Sequence, residues 1–202
     1  TEAVYAWNHL GQPIAGWPYP LPPTRYSFGS PALADFDGDG ALEVVFNTME
    51  KSAAPTEGWV YVVNGAGANL PGWPKRPDVP SSCPPTNYVH YGTSASPLVA
   101  DLDGDGGLEV ALPSNWDVVV WNEVGVQLTR TSTCPDPPWS LLADGPRASI
   151  GIGDITGDEA AELVAGGSSG ANGSLYSWSF GSAAIGAEKP WPQFRRSANN
   201  HA

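Results

Sequence analysis

Asp35, Asp37, Asp39 and Glu43 crowd four carboxylates into nine positions of SPALADFDGDGALEVVF, residues 30–46. Unpaired, these charges would repel one another and weaken whatever turn they form. The same spacing, D-x-D-G-D-G-x-x-E, returns in SPLVADLDGDGGLEVAL at 96–112 and more loosely in ASIGIGDITGDEAAELVA at 148–165. It offers side-chain oxygens at motif positions 1, 3, 5 and 9 and a backbone carbonyl at 7. A hard cation such as Ca²⁺ takes six to eight oxygens at roughly 2.3–2.6 Å from a flexible cage of this kind. Gly at positions 4 and 6 of the first two copies lets the backbone curl through conformations that other residues resist. An EF-hand would need a bidentate Glu at position 12 between helices. Position 12 here is Phe46, Leu112 or Ala165, and the flanks read as strands, so that rival fails. Mg²⁺ keeps its waters and suits an all-protein cage poorly. A metal-free Asp/Gly surface turn would explain one copy; three copies in register argue against it.

The elements that must position these loops also repeat. VYAWNHLGQPIAGWP at 4–18 aligns without a gap to VYVVNGAGANLPGWP at 60–74, with further copies in VVVWNEVGVQL at 118–128 and LYSWSFG at 175–181. Their starts lie 56, 58 and 57 residues apart, and the acidic motifs start 66 and 53 apart. A period in the fifties, made of short strands and Gly/Pro turns, is the mark of propeller blades or a similar array. Each unit reads as four strands: PALADF into the acidic loop, LEVVFNT out of it, GWVYVVNG third, and NLPGWP as a short outer edge. Val, Tyr and Trp suit the half-buried pleat of the third strand, Asn64-Gly65 signals a tight turn, and the Pro of GWP is tolerated at an edge. One such sheet cannot bury both faces alone, so successive sheets must stack.

Composition agrees. Of 202 residues, 41% are hydrophobic, with 24 Gly and 21 Pro, which provides for a core and favours strands joined by turns over helices. The net charge of −12 disfavours a nucleic-acid or anionic-membrane partner. The three clusters supply 12 of the 21 acidic residues, counting Glu159, so three divalent cations would bring −12 to −6. No apolar run is long enough to cross a bilayer, so no membrane insertion is expected. The opening TEAVYAW enters a strand almost at once, as in a processed mature chain or part of a longer one.

The pattern SPALADFDGDGALEVV…GWVYVVNGAGANLPGWP resembles the FG-GAP/VCBS repeats of extracellular β-propellers, related to the Ca²⁺-bearing blades of integrin α-subunit heads. The resemblance spans nearly the whole chain, and the acidic loop is its specific part. It implies an all-β, propeller-type array of about three and a half four-stranded blades. A half-blade at 1–24 would precede blades at 25–78, 79–131 and 132–202. By analogy, Asp35, Asp37, Asp39, Glu43 and the Ala41 carbonyl would hold one Ca²⁺, and Asp101, Asp103, Asp105, Glu109 and the Gly107 carbonyl a second. A third set, Asp154, Thr156, Asp158, Ala160 and Glu162, departs from the pattern: Thr156 replaces an Asp and Glu159 the second Gly. That site should be weaker or empty.

Other features carry less. Trp7, Trp121 and Trp178 share one repeat position and Trp17, Trp73 and Trp191 another, which points to packing between sheets; Trp139, outside the repeat, is the better exposed contact. GIGDITGD at 151–158 has the wrong spacing for a dinucleotide loop and aligns with the acidic motif. His9 and His201 lack a nucleophile or metal partner, and no catalytic group emerges. Cys83 and Cys134 lie in equivalent Pro-rich loops of consecutive units and would pair as a disulfide, closing a loop of some 50 residues worth ~4 kcal/mol and pointing to an oxidising setting; two buried thiols are the other reading. Asn172-Gly173-Ser174 matches a glycosylation sequon, a triplet that also arises by chance. The Pro/Ser/Thr-rich loops have a composition that carries O-glycans.

These readings point to a secreted or cell-surface, non-enzymatic repeat protein with a structural or adhesive role towards protein or glycan. Two alternatives stand beside it: a self-assembling subunit of an extracellular filament or surface layer, and a non-catalytic module of a secreted polysaccharide-active enzyme. The chain holds four copies of the VYAW half and three of the acidic half. Residues 1–18 therefore form an orphan half-blade with a sheet edge and an apolar face open to self-association.

Overall fold

The computed structural model describes residues 2–27, 29–50, 58–77, 95–113, 117–129, 141–142, 149–158, 160–169 and 172–184. Every regular element among them is a strand, and the strands form small antiparallel sheets in chain order. An N-terminal half-sheet pairs β1 (Ala3–Val4) with β2 (Tyr19–Pro20). The second sheet holds β3 (Arg25–Tyr26), β4 (Ala32–Ala34), β5 (Glu43–Glu50) and β6 (Trp59–Val63). β3 and β4 pair with β5, and β6 also pairs with β5. The third runs in the order β10 (Leu141–Leu142), β9 (Asp117–Trp121), β8 (Glu109–Pro113), β7 (Leu98–Ala100). The fourth is β11 (Gly151–Gly153), β12 (Ala160–Ser169) and β13 (Asn172–Ala184).

The expected outer edge strand of the second unit is narrower than a strand and survives as single bridges, Val63 to Asn69 and Val60 to Lys75. Trp7 to Pro13 and Trp121 to Gln127 are the matching bridges of the first and third units, whose outer strands are the two-residue β2 and β10. Pro71 and Pro74 carry no N–H, so the ladder cannot run through NLPGWP. What remains is the pair of bonds between Val60 and Lys75 and one from Leu70 N–H to the Val62 carbonyl.

The sheets stack face to face, and three cores lie between them. Trp17 and Leu21 of the N-terminal segment meet Phe46, Tyr61 and Val63, with Val4, Ala6 and Tyr19 half-buried beside them. The opposite face of the second sheet (Val45, Val60, Val62) meets Val110, Leu112, Val119 and Trp121 of the third. The far face of the third sheet (Val118, Val120, Leu98) meets Ile150, Leu163 and Ala165 of the fourth. Strand alternation explains this arrangement: successive residues point to opposite faces, so a strand buried on both sides reads as an unbroken apolar run such as Val60–Val63. Residues 1–18, expected to form an orphan half-blade with a sheet edge and an apolar face open to association, lay one face on the second sheet of their own chain.

Serine hydroxyls stitch the entrances of successive units. Ser96 Oγ accepts from Ser30 N–H at 2.8 Å, and Ser149 Oγ accepts from Ser96 N–H at 3.1 Å. No helix among the described residues is long and apolar enough to cross a membrane.

Candidate metal centres

Each acidic loop joins two consecutive antiparallel strands, β4 to β5, β7 to β8 and β11 to β12, and the closing Glu is the first residue after it to pair across that hairpin. Ala34 faces Glu43, Ala100 faces Glu109 and Gly153 faces Glu162. That register turns the Glu inward. Glu43 and Glu109 are each 1% exposed and Glu162 2%. In every loop the Glu Oε2 accepts the N–H of motif position 2: Phe36 at 2.8 Å, Leu102 at 2.7 Å and Ile155 at 2.9 Å.

The leading Asp braces the rest of the loop. Asp35 Oδ2 accepts Gly40 N–H, and Asp101 accepts Gly104 and Gly106 N–H. Asp39 and Asp105 accept from Ala41 and Gly107 at 2.7 and 2.8 Å, and Asp158 accepts from Ala160 at 3.0 Å. Gly38 and Gly40 take φ of +75° and +87°, a region L-residues avoid, so the curl needs glycine there.

The result brings carboxylate oxygens within 4.8 Å of one another in three places: Asp35, Asp37 and Asp39; Asp101, Asp103 and Glu109; and Asp154, Asp158 and Glu162. Thr156, which replaces an Asp, gives its N–H to Asp154 Oδ1. Burial pushes Glu109 up to about 8 against the relief of the Leu102 N–H, and Asp103, Asp101 and Asp105 add to the rise. Burial raises Glu43 and Asp103 as well, with neighbouring Asp carboxylates adding in the same direction. Asp35 Oδ1 and Glu162 Oε1 are buried with no hydrogen-bond partner. A buried acceptor left unmatched costs free energy, and a carboxylate satisfies it best with a cation. The donor set is oxygen only, crowded and anionic. It fits a hard divalent ion.

The tryptophans divide by position. Trp17 and Trp73 are buried, and each sends its indole N–H to a turn carbonyl of the next unit, Gly65 at 3.0 Å and Glu123 at 3.3 Å. Trp121 is buried and Trp178 half-buried, but Trp7 is 57% exposed, against the packing role its position implied. The reason is its place in the stack: no sheet among the described residues covers the outer face of the half-sheet. Trp139, Trp191, Cys83, Cys134 and His201 lie outside the described residues, and so do the cysteine pairing and most of the Pro/Ser/Thr-rich loops. Asn172 opens β13 opposite Ser169, and His9 sits in an exposed turn.

Two features escaped the sequence reading. The serine stitch had a visible signal, a Ser ahead of each first strand. The second is a cluster on Trp59: Arg25 lies 4.6 Å over its ring, Arg76 5.9 Å, and Arg25 also donates to Tyr61 Oη at 2.8 Å. Arg25 and Arg76 fall outside any repeat pattern, so nothing in the sequence paired them.

No family model and no curated protein matches the sequence. Among solved structures, the chain is similar to the V. cholerae biofilm matrix protein Bap1, with a TM-score of 0.51 and 19% identity. The likeness covers 89% of this chain and 28% of that one, so the chain spans well under a third of its length. At this identity the likeness is one of fold.

Proposed function

We propose that these residues form blades of an extracellular β-propeller of the FG-GAP/VCBS kind, held by Ca²⁺ and serving a structural or adhesive role towards protein or glycan, without catalysis. The observation that carries this reading is the repeated loop, closed in all three units by a buried Glu and leaving Asp35 Oδ1 and Glu162 Oε1 unmatched. Asp35, Asp37, Asp39 and Glu43 would hold one ion, and Asp101, Asp103, Asp105 and Glu109 another, with the Ala41 and Gly107 carbonyls; Asp154, Asp158 and Glu162 would form a weaker third site. The ion supplies charge neutralisation and ties the two strands of each hairpin together. The fold likeness to a biofilm matrix protein supports an extracellular setting for such a scaffold.

The test is a melt with and without chelator. A site filled at about 100 times its Kd adds about 2.7 kcal/mol, on the order of 5–10 °C for a chain of this size. EDTA should lower the Tm by about that much per occupied site, and excess Ca²⁺ should restore it. An unchanged melt, with no metal found by elemental analysis, would refute the calcium reading. Binding of the Ca²⁺-loaded chain to a panel of polysaccharides, with the products assayed, tests the adhesive and non-catalytic parts together.

A further inference from the structure

The turns that follow β6 and β9 lie beside the acidic loops of their own sheets. Val44 pairs with Val63 and Val110 with Trp121, which brings Glu43 level with Asn64 and Glu109 level with Asn122. The two turns are built alike. Asn64 and Asn122 each accept a backbone N–H from the residue four positions on, Ala68 and Val126. The carbonyl of the next residue, Gly65 or Glu123, receives the indole N–H of Trp17 or Trp73 from the preceding unit. Positions 65 and 123 are therefore equivalent in the fold, and they differ in side chain.

Glu123 turns its carboxylate onto the second acidic loop. A Cβ built on Gly107, motif position 7, would fall 2.9 Å from Glu123 Oε2 and 3.1 Å from Asp105 Oδ1. Both oxygens thus close on the same point of the loop. Glu123 is exposed, with solvent directions open to it, and forms no ion pair among the described residues. Two carboxylates converging in this way repel each other, and a cation between them reverses the sign of the interaction. The first loop lacks both halves of the arrangement. Its position 7 is Ala41, and at Gly65 a Cβ would meet nothing within 4 Å. The methyl that Ala41 carries and Gly107 lacks leaves the space in which the Glu123 carboxylate lies, so the two exchanges are complementary.

We propose that Glu123 is a further ligand of the cation in the second acidic loop, which makes that loop the tightest of the three sites. The inference rests on the calcium reading of the loops and adds to it a residue from outside the motif. The second loop by itself offers four carboxylates and the Gly107 carbonyl, whereas Ca²⁺ takes roughly six to eight oxygens. Affinity rises with the charge of the ligand set and the rigidity of the site. Glu123 supplies both, since it brings one more anion from a turn whose backbone is already held by Trp73. An ion in this loop would also tie down the turn on which the preceding unit rests.

The experiment titrates the whole chain, freed of metal by chelation, with CaCl₂ in a calorimeter. In an Asp37→Ala background, which disables the first loop, Glu123→Gln should weaken the strongest remaining site by about tenfold or more, the scale of loss when a group supporting a bound metal is removed. In an Asp103→Ala background, which disables the second loop, the same change should leave the remaining binding as it was. Gly107 does not take a positive φ, so Gly107→Ala is free of backbone strain and should weaken the second site by displacing the Glu123 carboxylate. Melts separate a ligand from a structural prop. Glu123→Gln should lower the Tm in Ca²⁺ but not in EDTA, where it removes an anion from beside Asp105. An equal drop in both conditions overturns the proposal. If wild type binds CaCl₂ and Glu123→Gln binds it equally well, the proposal falls and the calcium reading stands. A wild-type chain that binds no CaCl₂ overturns both.

Discussion

Glu109 shows most plainly what the acidic loops demand of a single residue. It is 1% exposed, hydrogen-bonded to Leu102 N–H, and raised by burial and three aspartates to about 8. Without metal, the folded chain therefore holds a proton there that the unfolded chain releases near its ordinary value of 4.5. Between those values the native state binds more protons, so stability of the chelated protein should fall as pH rises from about 4.5 to about 8. Chelated melts across that range would show it, and Glu109→Gln should flatten the slope in EDTA while lowering the Tm in Ca²⁺. A flat wild-type profile would contradict the burial argument. A second residue-level expectation concerns rank: in saturating Ca²⁺, Asp39→Ala or Asp105→Ala should cost more than Asp158→Ala, since the third loop has already lost an Asp to Thr156. An equal or larger cost at Asp158 would make Thr156 an adequate substitute. That carboxylates would gather in these loops was legible from their spacing, and three of them come within 4.8 Å of one another in each loop. The inward turn of the closing Glu was not, since it follows from the register that sets Ala34 opposite Glu43 and Ala100 opposite Glu109.

At the scale of the element, the repeat offsets proved reliable. The gapless alignment of 4–18 with 60–74 reappears as matched contacts, Val4 with Tyr19 against Val60 with Lys75, and Trp7 with Pro13 against Val63 with Asn69. Less legible was the width of the outer edge, because proline removes donors without changing the hydrophobic pattern. The sequence also did not reveal the close approach of turns between units. A Cβ on Gly16 would fall on the Ala66 carbonyl, whereas one on Gly11 would meet nothing within 4 Å, and both residues have φ near +80° (+89° and +74°). Gly11→Ala should thus cost about 1 kcal/mol for backbone strain alone. Gly16→Ala should cost about 3 kcal/mol, the difference being the steric clash between units. Denaturant melts of the two variants measure that difference directly, and equal costs would mean the turns are free to separate.

Across the whole molecule, charge and stacking combine. A net charge of −12, with 12 acidic residues gathered in three loops, makes the metal-free protein repel itself. Added NaCl screens such repulsion, so the Tm in EDTA should rise with salt, and the rise should shrink once Ca²⁺ is present. A salt response unaffected by Ca²⁺ would place the repulsion elsewhere on the surface. Sequence could count the units and order them, but it could not say which faces a neighbour covers. Trp7 and Trp121 share a repeat position and differ in exposure, 57% against 1%, only because one has a sheet before it. Position in the row decides, and that is a property of assembly.

The serine stitch carries a consequence of another kind. Ser96 accepts from the unit before it and donates to the unit after it, so one residue offers an acceptor to the preceding unit and the matching donor to the following one. A gene segment encoding one unit could therefore be duplicated or excised without stranding a hydroxyl or an amide at the seam. Such a chain is suited to change its length over evolutionary time by whole units, each addition bringing its own acidic loop and its own join to the next.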